Sequence, residues 1–187
     1  MSELNKMRLG EFYDPNDDSL CKMRAHARAL FEKYNQTSHE QSQLRVELIT
    51  ELFAKVGQKF VIEPTFHCDY GKNISIGENF FANFGCVILD CAQVSIGDNC
   101  FIGPQVGIYT ACHPLSPIKR NRMIEYAKAV SIGDNCWIGG HATINPGVVL
   151  GDNVVVGSGA VVTKSFGDNV VIAGNPAKVI RTITEDM

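Results

Sequence analysis

The chain has 187 residues, a net charge of −3 and 45 % hydrophobic residues, enough for one domain with a real core. Mild acidity argues against the clustered basic surface that phosphate backbones need, so no nucleic-acid partner is expected. No apolar run reaches the ~18 residues that span a bilayer, and the N-terminus lacks an apolar signal stretch, so a cytoplasmic protein without a membrane partner is expected.

Residues 1–57 are read as a helical cap. Leu20, Met23, Ala27, Leu30, Phe31 and Tyr34 recur at i, i+3, i+4, i+7 spacing behind the candidate caps Asp18 or Ser19. A second helix is expected to open at Ser38, with Gln41 completing a capping box and Gly57 as the C′ stop. It carries Leu44, Leu48, Leu52 and Val56 on one stripe. Two short amphipathic helices cannot bury themselves, so they are expected to cover the first coil of residues 58–187 and the sheet edge exposed there.

Residues 58–187 form the second segment, with a loop over 109–130 and a C-terminal tail over 175–187. An aliphatic or small residue returns every sixth position: Ile62, Cys68 and Ile74; Ile76, Ala82, Ile88 and Val94; Ile96, Ile102 and Ile108; then Ile132 through Val162. A period of six fits neither a helix nor a single strand; it fits a triangular coil of short strands, a parallel β-helix. Early coils carry two extra residues at one corner, as Ile74-Ser75-Ile76 and its echo Val94-Ser95-Ile96 show. Glycine follows the beat at Gly77, Gly97, Gly103, Gly133, Gly139, Gly151 and Gly157, where positive φ at the corners is expected. The seven cysteines form no CxxC pair and mostly lie in or beside the repeat, so they read as reduced, buried thiols.

The beat fails once, between Ile108 and Ile132, where Pro114, Pro117, Lys119, Arg120, Arg122 and His113 replace the aliphatics. A loop this long in a compact fold is usually functional. Histidine titrates near neutrality, which suits a general base, so His113 is the candidate catalytic residue. His26 and His39 read as solvent-facing, His67 and His141 as surface or interface residues, and Trp137 as packing near the His113 loop or in the core.

The runs Trp137-Ile138-Gly139-Gly140, Ile144-Asn145-Pro146-Gly147-Val148, Gly159 to Lys164 and Ala173-Gly174-Asn175-Pro176-Ala177 resemble hexapeptide-repeat acyltransferases. With Tyr109 to Pro114 and Phe80 to Phe84, the chain looks like the maltose and galactoside O-acetyltransferase branch. That resemblance implies a mainly β fold, a left-handed parallel β-helix with an α-helical cap and an extruded loop. It implies acetyl-CoA as co-substrate, a sugar hydroxyl as acceptor, no metal, and a homotrimer with sites at subunit boundaries. Carried onto this chain, it places Asn83 in the acceptor pocket with Asp90 and Cys91 beside it. Arg24, Asp14 and Asp17 are further acceptor candidates, although capping serves Asp17 and Asp18 equally well. Gly140, Ser158, Thr163 and Lys164 fall on the coenzyme A track, with Lys178 and Arg181 for its phosphates.

Cys112 could serve an acyl-enzyme route, but neighbours in an extended segment point apart, which favours direct transfer from His113-activated hydroxyl. A non-sugar hydroxyl or an amine is the alternative acceptor. A zinc hydrase would need three converging histidines, a spacing His67, His113 and His141 lack, and a non-catalytic scaffold would keep its repeat unbroken.

Overall fold

The computed structural model describes residues 1–184; the last three residues of the expected tail lie outside the described residues. Three helices open the chain: α1 (Glu3–Arg8), α2 (Asp18–Asn35) and α3 (Ser42–Leu52). The short α1, with Met7 its one buried residue, is an addition to the two expected helices. Asp17 caps α2 by accepting from the amides of Ser19 and Leu20. Leu20, Ala27, Leu30, Phe31 and Tyr34 form its buried stripe. Ser38 N does donate to Gln41 Oε1 at 2.8 Å, but that contact closes a turn, and α3 begins only at Ser42.

The coil winds through β1 (Phe60–Ile62), β2 (Phe66–Cys68) and β3 (Ile74–Ile76), then β4 (Phe80–Ala82), β5 (Cys86–Leu89) and β6 (Val94–Ile96). Its third turn runs β7 (Phe101–Ile102) and β8 (Gly107–Tyr109), then leaves the coil through β9 (Ala111–Cys112), α4 (Pro117–Arg120) and β10 (Tyr126–Ala127), and returns at β11 (Val130–Ile132). Then come β12 (Trp137–Ile138), β13 (Thr143–Ile144), β14 (Val149–Leu150), β15 (Val155–Val156), β16 (Val161–Val162) and β17 (Val170–Ala173). Within the expected tail, β18 (Lys178–Thr182) turns back antiparallel on β17 and closes that edge.

Strands stack in register on three faces: β1-β4-β7-β12-β15-β17-β18, β2-β5-β8-β13-β16, and β3-β6-β11-β14. Every beat residue from Ile62 to Val162 is buried, and so is the residue two before it in most strands, as with Val106 and Ile108 or Cys136 and Ile138. Each strand therefore sends two side chains inward, and each fully buried aliphatic contributes about 1.5–3 kcal/mol. The cap covers all three open edges of the first coil. Tyr34 Oη donates to Ile62 O, Asn35 pairs both ways with Phe66 at 2.8 and 2.9 Å, and Ala54 N donates to Ile74 O at 2.9 Å. Gly57 is accordingly not a helix stop: α3 ends at Leu52, and Gly57 presses on the backbone of Gly77 in the next coil.

The corner between third and first faces repeats a Gly-Asp/Glu-Asn triplet, and its glycines work differently from the expectation. None of the beat-following glycines has a positive φ; Asn79, Asn99, Asn135, Asn153 and Asn169 take that conformation, at φ 53–57°. The glycine is required for space instead. Oδ1 of Asp98, Asp134, Asp152 and Asp168 each reaches back one coil to accept an amide at 2.7–2.9 Å, passing where a Cβ on Gly77, Gly97, Gly133 or Gly151 would stand. The asparagine amides bond along the same corner, Asn79 to Asn99 at 2.9 Å and Asn153 to Asn169 at 2.9 Å.

Candidate active site

The corner between second and third faces does not repeat. From one inward residue to the next it takes eight positions in the first two coils (Cys68 to Ile76, Ile88 to Ile96), then 24 in the third (Ile108 to Ile132), then six (Ile144 to Leu150). All extra length in the coils sits at this edge, in 69–73, 89–93 and the 109–129 extrusion.

In the extrusion, β9 pairs antiparallel with β10, Cys112 opposite Tyr126, and His113 follows directly, exposed on the outgoing arm. Its root is fixed because Thr110 is buried, its Oγ1 donating to Leu89 O at 2.6 Å and accepting from Ala92 N at 2.9 Å. Cys112 is half-buried with its thiol turned to Thr110 O at 3.8 Å, and burial pushes its pKa up. A thiol held protonated is a poor nucleophile.

Around the same edge lie residues the sequence singled out and several it did not. Arg24 donates to Tyr70 Oη at 2.7 Å and Pro15 O at 2.6 Å, which ties α2 to the first-coil insertion. Asp14 is exposed beside it, with Oδ1 accepting Asn16 N at 2.9 Å. The carboxylate of Asp17 is occupied by the α2 cap. Asp90 is 0 % exposed: it accepts the amides of Asp69 at 3.0 Å, Tyr70 at 2.8 Å and Asn73 at 3.3 Å, and so holds the 69–73 turn. Burial pushes its carboxyl up to about 7, against the pull of those donors. Cys91 is buried and gives its thiol to Asp69 Oδ2 at 3.4 Å. Asp69 keeps an open face, its pKa raised chiefly by burial, while Tyr13 donates to Glu125 Oε2 at 2.7 Å. Asp69, Tyr70, Tyr13 and Glu125 were missed. The coil arithmetic could have flagged Asp69 and Tyr70, since their insertion shares a corner with the His113 loop.

A second feature lies at the corner between first and second faces. There a groove of about 570 Å3 is lined by Phe81, Asn83, Phe101, Trp137, Gly140 and Ser158, among others. Trp137 is neither in the core nor among the loop residues; it stands outward, 57 % exposed, in register between Phe101 and Val155. Small residues floor the groove because coils stack closely there: a Cβ on Gly103 would meet Gly140 N at 2.5 Å. The amides flanking Gly140 are used in stacking, Gly139 N to Val156 O at 2.7 Å and His141 N to Pro104 O at 2.8 Å. Thr163 and Lys164 are exposed beyond it, Lys164 lying over the Phe166 ring at 5.5 Å. Lys178 and Arg181 are exposed on β18, with Arg181 opposite Val171 on the first face.

The chain thus places the expected residues in two groups at different corners. Asn83, Gly140 and Ser158 come together in the groove; His113, Arg24, Asp14 and Cys91 gather at the irregular corner; His113 does not line the groove. A smaller, mostly apolar cavity of about 160 Å3 between α3 and β1 holds none of the expected residues. Among the described residues, no three His, Cys, Asp or Glu side chains converge as metal ligands, and no helix is long and apolar enough to cross a membrane. All seven cysteines are free; Cys21 is exposed and Cys112 half-buried, the other five buried.

Residues 6–57 match the maltose acetyltransferase hexapeptide capping motif, and residues 93–109 and 129–164 the hexapeptide repeat of succinyl-transferase. The galactoside O-acetyltransferase of Escherichia coli (strain K12) is 40 % identical over 185 residues, 99 % of this chain and 91 % of that one. A maltose O-acetyltransferase from Clostridium difficile 630 superposes with a TM-score of 0.98 at 46 % identity, covering 99 % of each chain. A galactoside acetyltransferase in complex with coenzyme A superposes with a TM-score of 0.96 at 39 % identity, covering 100 % of this chain and 93 % of that one.

Proposed function

This chain belongs to the maltose and galactoside O-acetyltransferase family of hexapeptide-repeat proteins, and from that membership we propose that it moves an acetyl group from acetyl-CoA to a sugar hydroxyl by direct transfer. Its coil is the left-handed parallel β-helix of hexapeptide-repeat acetyltransferases, and it is itself an acetyltransferase of this type. The observation that carries the proposed chemistry is the pairing of an exposed histidine on the one extrusion with a small-residue groove suited to a pantetheine arm.

His113 takes the acceptor hydroxyl proton as the oxygen attacks the thioester carbonyl carbon. The Gly140 amide holds the resulting oxyanion. Collapse expels the coenzyme A thiolate, which recovers the proton from the imidazolium, and the sugar leaves as its acetyl ester. Asn83 holds acceptor hydroxyls as donor and acceptor at once, with Asp14 and Arg24 on the other side. Asp90 contributes through the turn it fastens, and Cys91 through its hold on Asp69. Ser158, Thr163 and Lys164 line the arm of coenzyme A, while Lys178 and Arg181 neutralise its phosphates.

Because His113 and the groove occupy different corners, the working site lies between two copies of the chain, in a homotrimer whose loops each reach a neighbour's groove. The outward column Val61, Phe81, Phe101, Trp137, Val155 and Val171 on the first face supports such association, since apolar exposure in one line marks a contact surface. The test is thiol release from acetyl-CoA over a panel of glucosides, galactosides, maltose and amino sugars. Release with a hydroxyl acceptor that vanishes in His113→Ala is expected. Release only with amines would move the acceptor class, and release independent of His113 would overturn the mechanism.

A further inference from the structure

The N-terminal arm does more than cap the coil. Beside the main core stands a separate small one, in which Met7, Tyr13 and Leu20 pack with Cys91, Ala92 and Ala127. Ala127 belongs to β10, the returning strand of the ribbon that carries His113. Tyr13 joins the far edge of that strand: its N donates to Glu125 O at 2.9 Å, its O accepts Glu125 N at 3.1 Å, and its hydroxyl donates to Glu125 Oε2 at 2.7 Å. Gly10, at φ +72°, lets the arm turn against Ala127 O, where an added Cβ would stand 3.0 Å away. Phe12 meets Tyr126 edge-on at 5.5 Å, and Lys119 lies 5.2 Å over the Phe12 ring.

The arm therefore bridges the outer edge of the ribbon at one residue pair, in the order arm, β10, β9, and His113 follows β9. Thr110 fixes the root of the extrusion, while its tip is exposed, Leu115 by 92 % and Ile118 by 70 %. A two-stranded ribbon alone is marginal in water and needs a third strand or a packed face. We infer that residues 7–13 are a brace that sets the position of His113, with the Tyr13–Glu125 pair as its latch, so that Tyr13 and Glu125 are positioning residues. The brace itself follows from these contacts; its effect on turnover rests on the acetyltransferase reading.

The test compares full-length Tyr13→Phe, Glu125→Ala and Glu125→Gln with the parent by amide exchange and by steady-state kinetics. A hydrogen bond to a charged group is worth enough that losing it should speed exchange across residues 111–113 and 125–127 about tenfold in Tyr13→Phe and Glu125→Ala. Glu125→Gln, which keeps an acceptor, should lie between them and the parent. Exchange in 94–108 and 130–162 should not change, kcat should fall, and KM for acetyl-CoA should hold. Unchanged ribbon exchange, or equal acceleration everywhere, would overturn the brace. Should Glu125→Ala fail to fold, Tyr13→Phe, which loses one oxygen, decides. If the parent acetylates no acceptor, the functional reading falls, while the exchange result still judges the brace.

Discussion

Two corners of the same coil behave in opposite ways. Between third and first faces, each turn repeats one triplet, glycine for space, a carboxylate reaching back one coil and an asparagine at positive φ. Between second and third faces the step runs eight, eight, 24 and then six positions, and there the chain sets Asp69, Asp90, Cys91 and His113. The repeated corner fixes the spacing of the coils and so can carry no individual residue. The irregular one is free to vary because register is already held elsewhere. On the proposed function, the repeated corner carries stability and the other two edges carry the chemistry.

That separation can be broken from either side. The largest effect should come from His113→Ala, which removes the proposed base and is expected to lower kcat by about 10²–10⁴-fold while the melting temperature and coenzyme A affinity stay put. A matching loss of melting temperature would show that the irregular corner also carries the frame. Gly97→Ala should do the reverse. Its Cβ meets Asp134 Oδ1 and the Gly133 backbone, an overpacking worth about 1–3 kcal/mol, seen in chemical denaturation with catalysis by the surviving folded fraction unimpaired. Asn135→Ala, forced to positive φ without a stacking amide, should cost about 1–2 kcal/mol, and Asn135→Gly should recover much of that by relieving the backbone.

A further effect concerns Asp90. Its folded-state pKa of about 7 lies above the ordinary carboxylate value, so the folded chain holds that proton more tightly than the unfolded one. This contribution is fully present below the unfolded pKa and fades as pH rises from about 4 to about 7. Asp90→Asn should flatten that segment of a stability-against-pH curve; an unchanged slope would assign it to another group.

The β-helix was legible because its period is carried by single inward positions, and the structure keeps all of them inside. The partner column two residues earlier was harder to see, since small residues such as Cys136, Ala142 and Ala160 dilute its hydropathy. The helix α1 escaped notice because six residues burying one methionine give no periodicity. His113 could be found as the occupant of a break in a rhythm. Tyr13 and Glu125 could not, for they are 112 positions apart and neither belongs to a pattern. The positive-φ expectation for the glycines failed for a related reason: local sequence shows a permissive residue, while its use depends on what the next coil puts beside it.

The claim that the two half-sites act across a pair of copies has a direct measurement. His113→Ala leaves the groove intact, and Ser158→Trp should block the groove while leaving the loop intact, so each alone should be nearly inactive. Unfolded and refolded together, they should regain about a quarter of the parent rate, the share of boundaries that pair a good loop with a good groove. A mixture no more active than its two components would place the whole site within one chain and contradict the account.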